Sequence, residues 1–481
     1  MTAQQCSGLA LPVKGSPRPA PAHYRFAPTV LLTGIALLCG CASYSPQPLD
    51  PFAELKKLEQ RAAAQPDEAI SLPAGSDWIA LEARIDFSDG LDLAEANTLA
   101  LYYSPEIRAA RNDQQVSAVQ LLQAGLLANP ELFLGPRISS TGSGLVFPAG
   151  ISWELPLWGR RAAEKELAER SLTAAGARLA EKELNILTRI RSAYIRIETL
   201  TAKTEALQAR TVGSQGVLRW ADRLKQAGQL DGVTSWLARL EHDEALADLK
   251  DLQFELATEK RELQESLGLL PNAEMLIRLD PSPSELPVLP PLNRQGMMLH
   301  PRITSASREY DKADAALRLE VTGQYPAVRL GPEFESDKGE ASLGLGAGIE
   351  LPVFDDNLGA IAAAVIRRED AREKLEARIL EQVHLEAQAR TEAQSRQDIL
   401  RSYRAGALQG AGEARKSLDL RLQAGQSDIL EVLAALRSLT AVRIRELELQ
   451  GDTATARFAA AAAAGTALSG PANTDNEKEK K

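Results

Sequence analysis

The chain repeats its own sequence pattern after 196 residues, and this duplication limits the folds it can adopt. The shift carries Pro105 onto Pro301. The other matches are LGP at 134–136 with 330–332, ELP at 154–156 with 350–352 and, with one inserted residue, QAGQ at 226–229 with 423–426. Because the matches fall at Pro and Gly, where the backbone is most constrained, the sequence predicts two repeats with one architecture.

Each repeat follows the same order of predicted elements. A moderate helix comes first, a Pro then opens a strand hairpin, and a very long helical stretch leads to QAGQ and a returning helix. The predicted ranges are helices 105–128 and 301–324, hairpins 130–155 and 326–351, long helices 161–226 and 359–424, and returns 233–268 and 428–465.

The second hairpin alternates strictly. Leu343, Leu345, Ala347, Ile349 and Leu351 share one face, and small or polar residues fill the other. Alternation of period two between turn signals is typical of a membrane-spanning strand, and a soluble antiparallel hairpin fits this segment equally well.

The long helices contain no Pro, and their apolar residues recur at helical spacing. At 1.5 Å per residue, each would be roughly 100 Å long, which implies a coiled-coil-like assembly. The composition agrees, since 44% of residues are hydrophobic but only 5% are aromatic. Helices packed closely through small residues suit this chain better than a thick aromatic core. The Gly of each QAGQ can end a helix, so the two motifs predict the tips of two antiparallel helical hairpins.

The net charge of −10 and the absence of a basic run argue against nucleic acid as the main partner. The sequence shows no phosphate-binding loop, no zinc-ligand spacing and no nucleophile elbow, so we expect neither an enzyme nor a metal site. The charged stretch EHDE at 241–244 is interpreted as a solvated helical run in preference to a cation site.

The three cysteines, Cys6, Cys39 and Cys41, all lie near the start of the chain. Basic residues precede an apolar run at 29–38, which has the length of a signal-peptide core. The run ends in LCGC at 38–41, which resembles the bacterial lipoprotein box. That resemblance implies cleavage before Cys41 and acylation of its thiol. The covalent lipid on Cys41 is the only cofactor-like group expected. An ordinary secretory signal with incidental cysteines is the alternative.

Two hairpins give four strands, which cannot close a barrel, and lipid does not tolerate open strand edges. Three copies would supply twelve strands and twelve long helices.

With that arrangement, the chain resembles the TolC-like outer membrane efflux protein family. The helix after YYSPEI, the strand exits WELPLWGRR and IELPVFDDNLGAIAAA, and the tip QAGQSDILEVLAALRSL carry the resemblance. The implied fold is mainly α with a small β part. Long antiparallel helical hairpins form a periplasmic α-barrel, and four strands per chain contribute to a trimeric twelve-stranded β-barrel.

The resemblance implies a passive homotrimeric conduit in outer-membrane lipid. It also implies a periplasmic adaptor and a proton-driven inner-membrane pump as partners. The adaptor contacts would fall at Ala227, Gly228, Gln229 and at Ala424, Gly425, Gln426.

Glu431 matches an acidic position that constricts the closed end in the family, whereas a second such position is Ala434 here. Three Glu431 carboxylates around a narrow axis would repel one another and favour cations. A solvated helix residue is the alternative reading of Glu431.

The substrate is less constrained. The segment LPVFDDNLGAIAAA resembles outer-membrane components of heavy-metal cation efflux systems, and drug exporters share its frame. Channels for type I protein secretion, and a lipid-anchored periplasmic coiled-coil scaffold without a pore, remain alternatives.

These interpretations define six segments. They are a signal peptide at 1–40, an acylated linker at 41–90, repeats at 91–275 and 301–465 separated by a linker at 276–300, and a disordered polar tail at 466–481.

Overall fold

The computed structural model describes most of both repeats. The described residues are 44–61, 90–135, 137–138, 145–146, 148–271, 276–279, 294–337, 340–424 and 426–465. The expected signal peptide, Cys41, Gly425 and the polar tail lie outside the described residues. The chain divides into two compact units, residues 1–54 and 55–481, and the second contains all the elements from α2 and β1 onward.

The predicted fold class is confirmed, because long helices dominate and a small sheet accompanies them. The helices are α1 (Pro51–Arg61), α2 (Leu93–Tyr103), α3 (Pro105–Ala124), α4 (Arg160–Gln226), α5 (Gly232–Ser266), α6 (Arg294–Met298), α7 (Pro301–Thr322), α8 (Leu358–Tyr403), α9 (Gln409–Gln423) and α10 (Ile429–Ala463).

The strands of both repeats join one antiparallel sheet of order β1-β4-β5-β6. Its members are β1 (Glu131–Leu134), β4 (Ala149–Leu155), β5 (Val328–Asp337) and β6 (Glu340–Ile349). The first hairpin is interrupted, and β2 (Arg137–Ile138) pairs with β3 (Leu145–Val146) as a separate ribbon. The equivalent hairpin of the second repeat is one continuous pair of strands.

The helices form one layer whose order changes along its length. Near the sheet, the packed neighbours run α3, α4, α7 and α8, and nearer the tips they run α5, α4, α10 and α8. The 67-residue α4 belongs to both parts and is therefore the spine of the molecule.

The main core surrounds the middle of α4. Leu99, Ile107, Ile190 and Leu263 are completely buried there, and each contributes about 1.5–3 kcal/mol through removal of its side chain from water. Tyr194 anchors the segment that precedes α2, because its hydroxyl donates to the Leu91 and Asp92 carbonyls at 2.9 and 3.0 Å.

Between α8 and α10, the core consists of alanines alone. Its members are Ala389, Ala393, Ala456, Ala460 and Ala463. Small side chains let two helices approach closely, which explains how a chain with few aromatic residues builds such long hairpins.

The second long helix departs from the expected uninterrupted form. A π-helical turn, Arg404–Leu408, separates α8 from α9. Gly406, Gly410 and Gly412 fall in or just after this turn, and glycine is about 1 kcal/mol less favourable than alanine in a helix. Such turns insert one extra residue and re-aim the helix that follows. The break lies where Tyr403 donates to the Val442 carbonyl at 3.3 Å and Arg404 pairs with Glu446 at 3.1 Å.

His300 joins the start of α7 to the end of α10. Its Nδ1 accepts a hydrogen bond from the Arg302 amide at 3.3 Å, and its Nε2 lies 3.2 Å from the Ala462 carbonyl. Burial lowers the pKa of His300, and the Arg302 charge adds to this, while the Ala462 contact partly offsets it. The neutral ring is therefore the form that holds the two helix ends together.

We predict that His300 makes folding sensitive to acid. Because the folded pKa is depressed, the stabilising effect is complete above the unfolded pKa of about 6.5 and is lost as the pH falls towards the folded value. Thermal unfolding, followed by circular dichroism from about pH 8 to about pH 5, should show this loss of stability in the parent protein. The loss should be smaller in His300→Gln. The exposed His384→Gln variant is the control and should keep the parent profile. Identical pH dependence in the parent and His300→Gln would contradict the assignment.

Candidate functional site

The sheet has two chemically different faces. Residues paired directly across antiparallel strands point to the same face. The register pairs Leu132 with Ile151, Trp153 with Leu330, and Phe334 with Leu343. Among the described side chains, this apolar face comprises Leu132, Leu134, Ala149, Ile151, Trp153, Leu155, Val328, Leu330, Pro332, Phe334, Leu343, Leu345, Ala347 and Ile349. The sequence pattern had identified only the β6 part of this face.

Most of this apolar face is open to solvent in the single chain. Leu343 and Leu345 are 79% and 77% exposed, and Leu134 is 71% exposed. A continuous exposed apolar surface of this kind marks a contact with lipid or another protein.

The opposite face is mainly charged and rich in glycine. It carries Glu131, Glu154, Arg329, Glu333 and Glu335, together with Phe133 and several glycines. Among the side chains that the structure describes on this face, four carboxylates therefore accompany one guanidinium. At Gly331 the strands approach so closely that a Cβ would lie 1.6 Å from the Ile151 carbonyl oxygen, so no other residue fits there.

An aromatic pair marks the end of the sheet nearest the helices. The rings of Trp158 and Tyr325 stack with centroids 5.3 Å apart, and the Trp158 indole donates to the Pro326 carbonyl at 3.3 Å. Phe354, shortly after the end of β6, is fully exposed. Aromatic side chains at such ends are typical of membrane–water boundaries.

At the far end of the helices, the first QAGQ forms a closed turn. Gly228 adopts the left-handed conformation with φ of 70°. The Gly228 and Gln229 amides donate to the Lys225 and Leu224 carbonyls at 3.0 and 2.9 Å, which is the Schellman pattern. Ala227, Gly228 and Gln229 are all exposed.

Asp231 then starts α5 by accepting hydrogen bonds from the Val233 and Thr234 amides and from the Thr234 hydroxyl. These bonds, first of all the one from the Thr234 hydroxyl, lower the pKa of Asp231. The backbone amides of the first tip are thus hydrogen-bonded to acceptors within the tip itself.

The second QAGQ shares a backbone hydrogen bond with the first but has different side-chain partners. The Gln426 amide donates to the Arg421 carbonyl at 2.9 Å, equivalent to the bond made by Gln229. Ala424 and Gln426 are exposed. Asp428 starts α10 and accepts from the adjacent Ile429 amide at 2.7 Å.

Glu431 lies in the first turn of α10, where its charge favours the helix N-terminus. It is partly exposed and paired with Arg421 of α9, which also reaches the Gln426 carbonyl at 3.5 Å. The sequence analysis missed Arg421 as a partner, although it lies only ten residues before Glu431.

Above the tips, buried charges connect the two hairpins. Arg210 of α4 and Arg437 of α10 both bind the buried carboxylate of Glu241 of α5, at 2.7–2.9 Å and 2.8 Å. Burial by itself lowers the pKa of Arg210, but the contacts with Glu241 and Asp248 outweigh it and raise the pKa. The expectation of a solvated EHDE run is therefore wrong at Glu241, and His242 contacts the Ser214 hydroxyl at 3.1 Å. The two arginine partners of Glu241 could not be identified from the local sequence, because they belong to α4 and α10.

Among the described residues, no group of three or more His, Cys, Asp or Glu side chains is arranged to hold a metal ion. Within the same part of the chain, none of the helices combines the length and apolar character needed to cross a membrane.

Comparison with known families gives a match over both repeats. The profile described as "Outer membrane efflux protein" matches residues 97–269 and 298–466.

Individual relatives agree with that match. The cobalt-zinc-cadmium resistance protein CzcC of Cupriavidus metallidurans is 26% identical over 373 residues, which cover 76% of this chain and 87% of CzcC. The crystal structure of VceC from Vibrio cholerae is similar with a TM-score of 0.64 and 21% identity, covering 78% of this chain and 96% of that one. The crystal structure of the CmeC channel of Campylobacter jejuni is similar with a TM-score of 0.68 and 13% identity, covering 92% of this chain and 96% of that one. These two structural likenesses show the shared fold.

Proposed function

The chain belongs to the outer membrane efflux protein family, and we propose that it is the outer-membrane channel of a tripartite efflux system. Members of this family are passive channels of the outer membrane and not enzymes. In the proposed assembly, three copies form the conduit, a periplasmic adaptor binds the tips, and a proton-driven inner-membrane pump supplies the energy.

The two-faced sheet is the observation that carries this proposal. Its apolar face suits lipid, and its charged face suits a water-filled interior, as in outer-membrane barrels. Strands β1 and β6 are the edges of a four-stranded sheet. Three chains would join these edges into twelve strands, which supports a homotrimer.

The helices supply the periplasmic part. The 67 residues of α4 correspond to about 100 Å, a length that suits a tunnel and exceeds a globular core. Cys41, if acylated as its LCGC context indicates, would anchor the chain in the membrane. Ala227, Gly228 and Gln229 of the first tip and Ala424 and Gln426 of the second, all exposed, remain our candidates for the adaptor contact. Gly425 belongs to the same proposal.

Divalent metal cations are the solutes we favour. CzcC, whose name assigns it to cobalt, zinc and cadmium resistance, is similar over most of its length. The polar face of the sheet, with Glu131, Glu154, Glu333 and Glu335 against Arg329, also favours cations. Drug export and type I protein secretion are the alternatives that the experiments below distinguish from metal export.

The central test is conductance of the purified protein in planar lipid bilayers, with its mass measured in the same detergent. We expect a trimer that gives a cation-selective conductance, because the inner face carries excess negative charge. A trimer that does not conduct even after the tip is loosened by Arg421→Ala would contradict the channel. A monomer or dimer without conductance would favour the periplasmic scaffold.

We predict that the Arg421–Glu431 pair holds the tip aperture narrow. An exposed ion pair contributes roughly 0.2–1 kcal/mol, so Glu431→Gln should raise the open probability by no more than about fivefold. Arg421→Gln should have the same effect, and the double variant should add little to either. Single-channel recording is the measurement, and Glu376→Gln, an exposed α8 carboxylate far from the tip, is the control. Unchanged gating in both single variants would remove the pair from the aperture.

We also expect cells that lack this protein to become sensitive to cobalt, zinc and cadmium, with unchanged tolerance of hydrophobic drugs. Growth inhibition across metal and drug concentrations would measure this, with the parent protein restored as the control. Sensitivity to drugs alone would redirect the proposal to drug export. Loss of a secreted protein with normal metal tolerance would favour the secretion channel.

A further inference from the structure

Helix α9 is covered on one side only within its own chain. None of its 15 residues is buried, although it lies at the end of a long hairpin. Its main packing contacts are with α10 and the π-helical turn. On the side turned away from α10, a stripe at helical spacing carries Glu413, Lys416 and Leu420.

Helix α5 is covered on one side only. Thr234, Ala238, Ala245 and Leu249 are buried where α5 packs on α4. Half a turn round the helix, at 100° per residue, lie Trp236, Asp243, Phe254 and Arg261. Trp236 and Phe254 are 59% and 68% exposed, which is unusual for two aromatic side chains on one helix face.

These two faces are the opposite edges of the lower layer, whose order is α5, α4, α10 and then α8 with α9. We infer that the uncovered face of α5 docks on the uncovered face of α8 and α9 in the next copy of this chain, with Asp243 opposite Lys416, Phe254 opposite Ile399 and Arg261 opposite Glu392. This inference rests on the proposed trimeric channel and adds its helical seam.

Contacts across the layer fix the first of these pairs. His242, next to Asp243, contacts Ser214 of α4. The adjacent Gly213 lies against Leu436 of α10. Leu436 is five residues above Glu431, which pairs with Arg421. Five residues up the antiparallel α9 is Lys416, so Asp243 and Lys416 lie at one height.

The second pair follows from different contacts. Glu259 of α5 pairs with Arg196 of α4, so Phe254, five residues lower, lies level with Thr201. Thr199 lies against Gly451 of α10, which makes Leu449 level with Thr201. Arg396 of α8 pairs with Asp452 at 2.9 Å, and three residues lower on α8 is Ile399.

The third pair extends the same ladder upwards. Arg261 lies two residues above Glu259 and is therefore level with Tyr194 of α4. Counting from the contact of Thr199 with Gly451, Ala456 of α10 is at that height. Ala456 is four residues above Asp452, and four residues above Arg396 is Glu392.

Equal height matters because rotation about a symmetry axis moves a residue around the ring without moving it along the axis. For helices that run along that axis, each residue of one edge meets the residue at its own height on the other. The pairs are complementary, since two join opposite charges and one joins two apolar side chains. Phe254 and Ile399 are 68% and 45% exposed, and neither Asp243 nor Lys416 has an ion-pair partner within the described ranges.

Cysteine cross-linking tests this seam directly. The chain has no cysteine after Cys41, so Phe254→Cys with Ile399→Cys introduces the only pair beyond it. Within one chain, these positions lie three helix spacings apart, about 25 Å, which is far beyond disulfide reach. We expect the full-length protein to give a covalent trimer on a non-reducing gel after mild oxidation.

The matched control is Phe254→Cys with Glu392→Cys, which is displaced by two turns, about 10 Å, and should remain uncross-linked. Charge exchange is a second measurement, in which Asp243→Lys and Lys416→Asp each lower the temperature at which the trimer dissociates. The double exchange should recover it.

The possible outcomes separate the two proposals. A parent protein that is not a trimer contradicts the proposed channel. A parent trimer that cross-links through residue 392 and not 399, or shows no recovery in the double exchange, overturns the seam and leaves the channel intact.

Discussion

The structure depends on one constraint, which is that the backbone groups along the edges of a sheet need hydrogen-bond partners. A buried N–H or C=O without a partner costs several kcal/mol in lipid, where no water can replace it. The sheet of β1, β4, β5 and β6 exposes one apolar face and ends in two open edges. In the proposed channel, several chains would associate so that these edges pair. The helices, which follow the strands in the chain, would then follow the same symmetry.

Much of this architecture could be predicted from the sequence, because the positions of proline and glycine and the spacing of apolar residues depend on the local backbone conformation. The duplicated QAGQ motif gave both tips, and the alternation in β6 gave one strand of the apolar face. The sequence could not reveal that Glu241 is buried, since its partners Arg210 and Arg437 come from other helices. The π-helical turn at Arg404–Leu408 was missed for a similar reason, because it serves contacts with α10.

Two kinds of contact hold the long helices together, and they have different physical roles. Near the C-terminal end of α10, alanines such as Ala393 and Ala460 let α8 and α10 of the second hairpin pack closely. Lower down, Glu241 binds arginines from two other helices. A buried ion network of this kind adds little net stability, because desolvation opposes the attraction, but it allows only one arrangement of the three helices.

The two duplicated tips share a backbone hydrogen bond but differ in their side-chain contacts. The first tip is closed on itself, because Asp231 accepts from Val233 and Thr234 within the same turn. At the second tip, Asp428 accepts from its neighbour Ile429, and the exposed pair of Arg421 with Glu431 connects the two helices. An exposed pair is weak and is screened by salt, whereas backbone hydrogen bonds at a helix start are not. The tip of the second hairpin is therefore held by weaker interactions than the tip of the first.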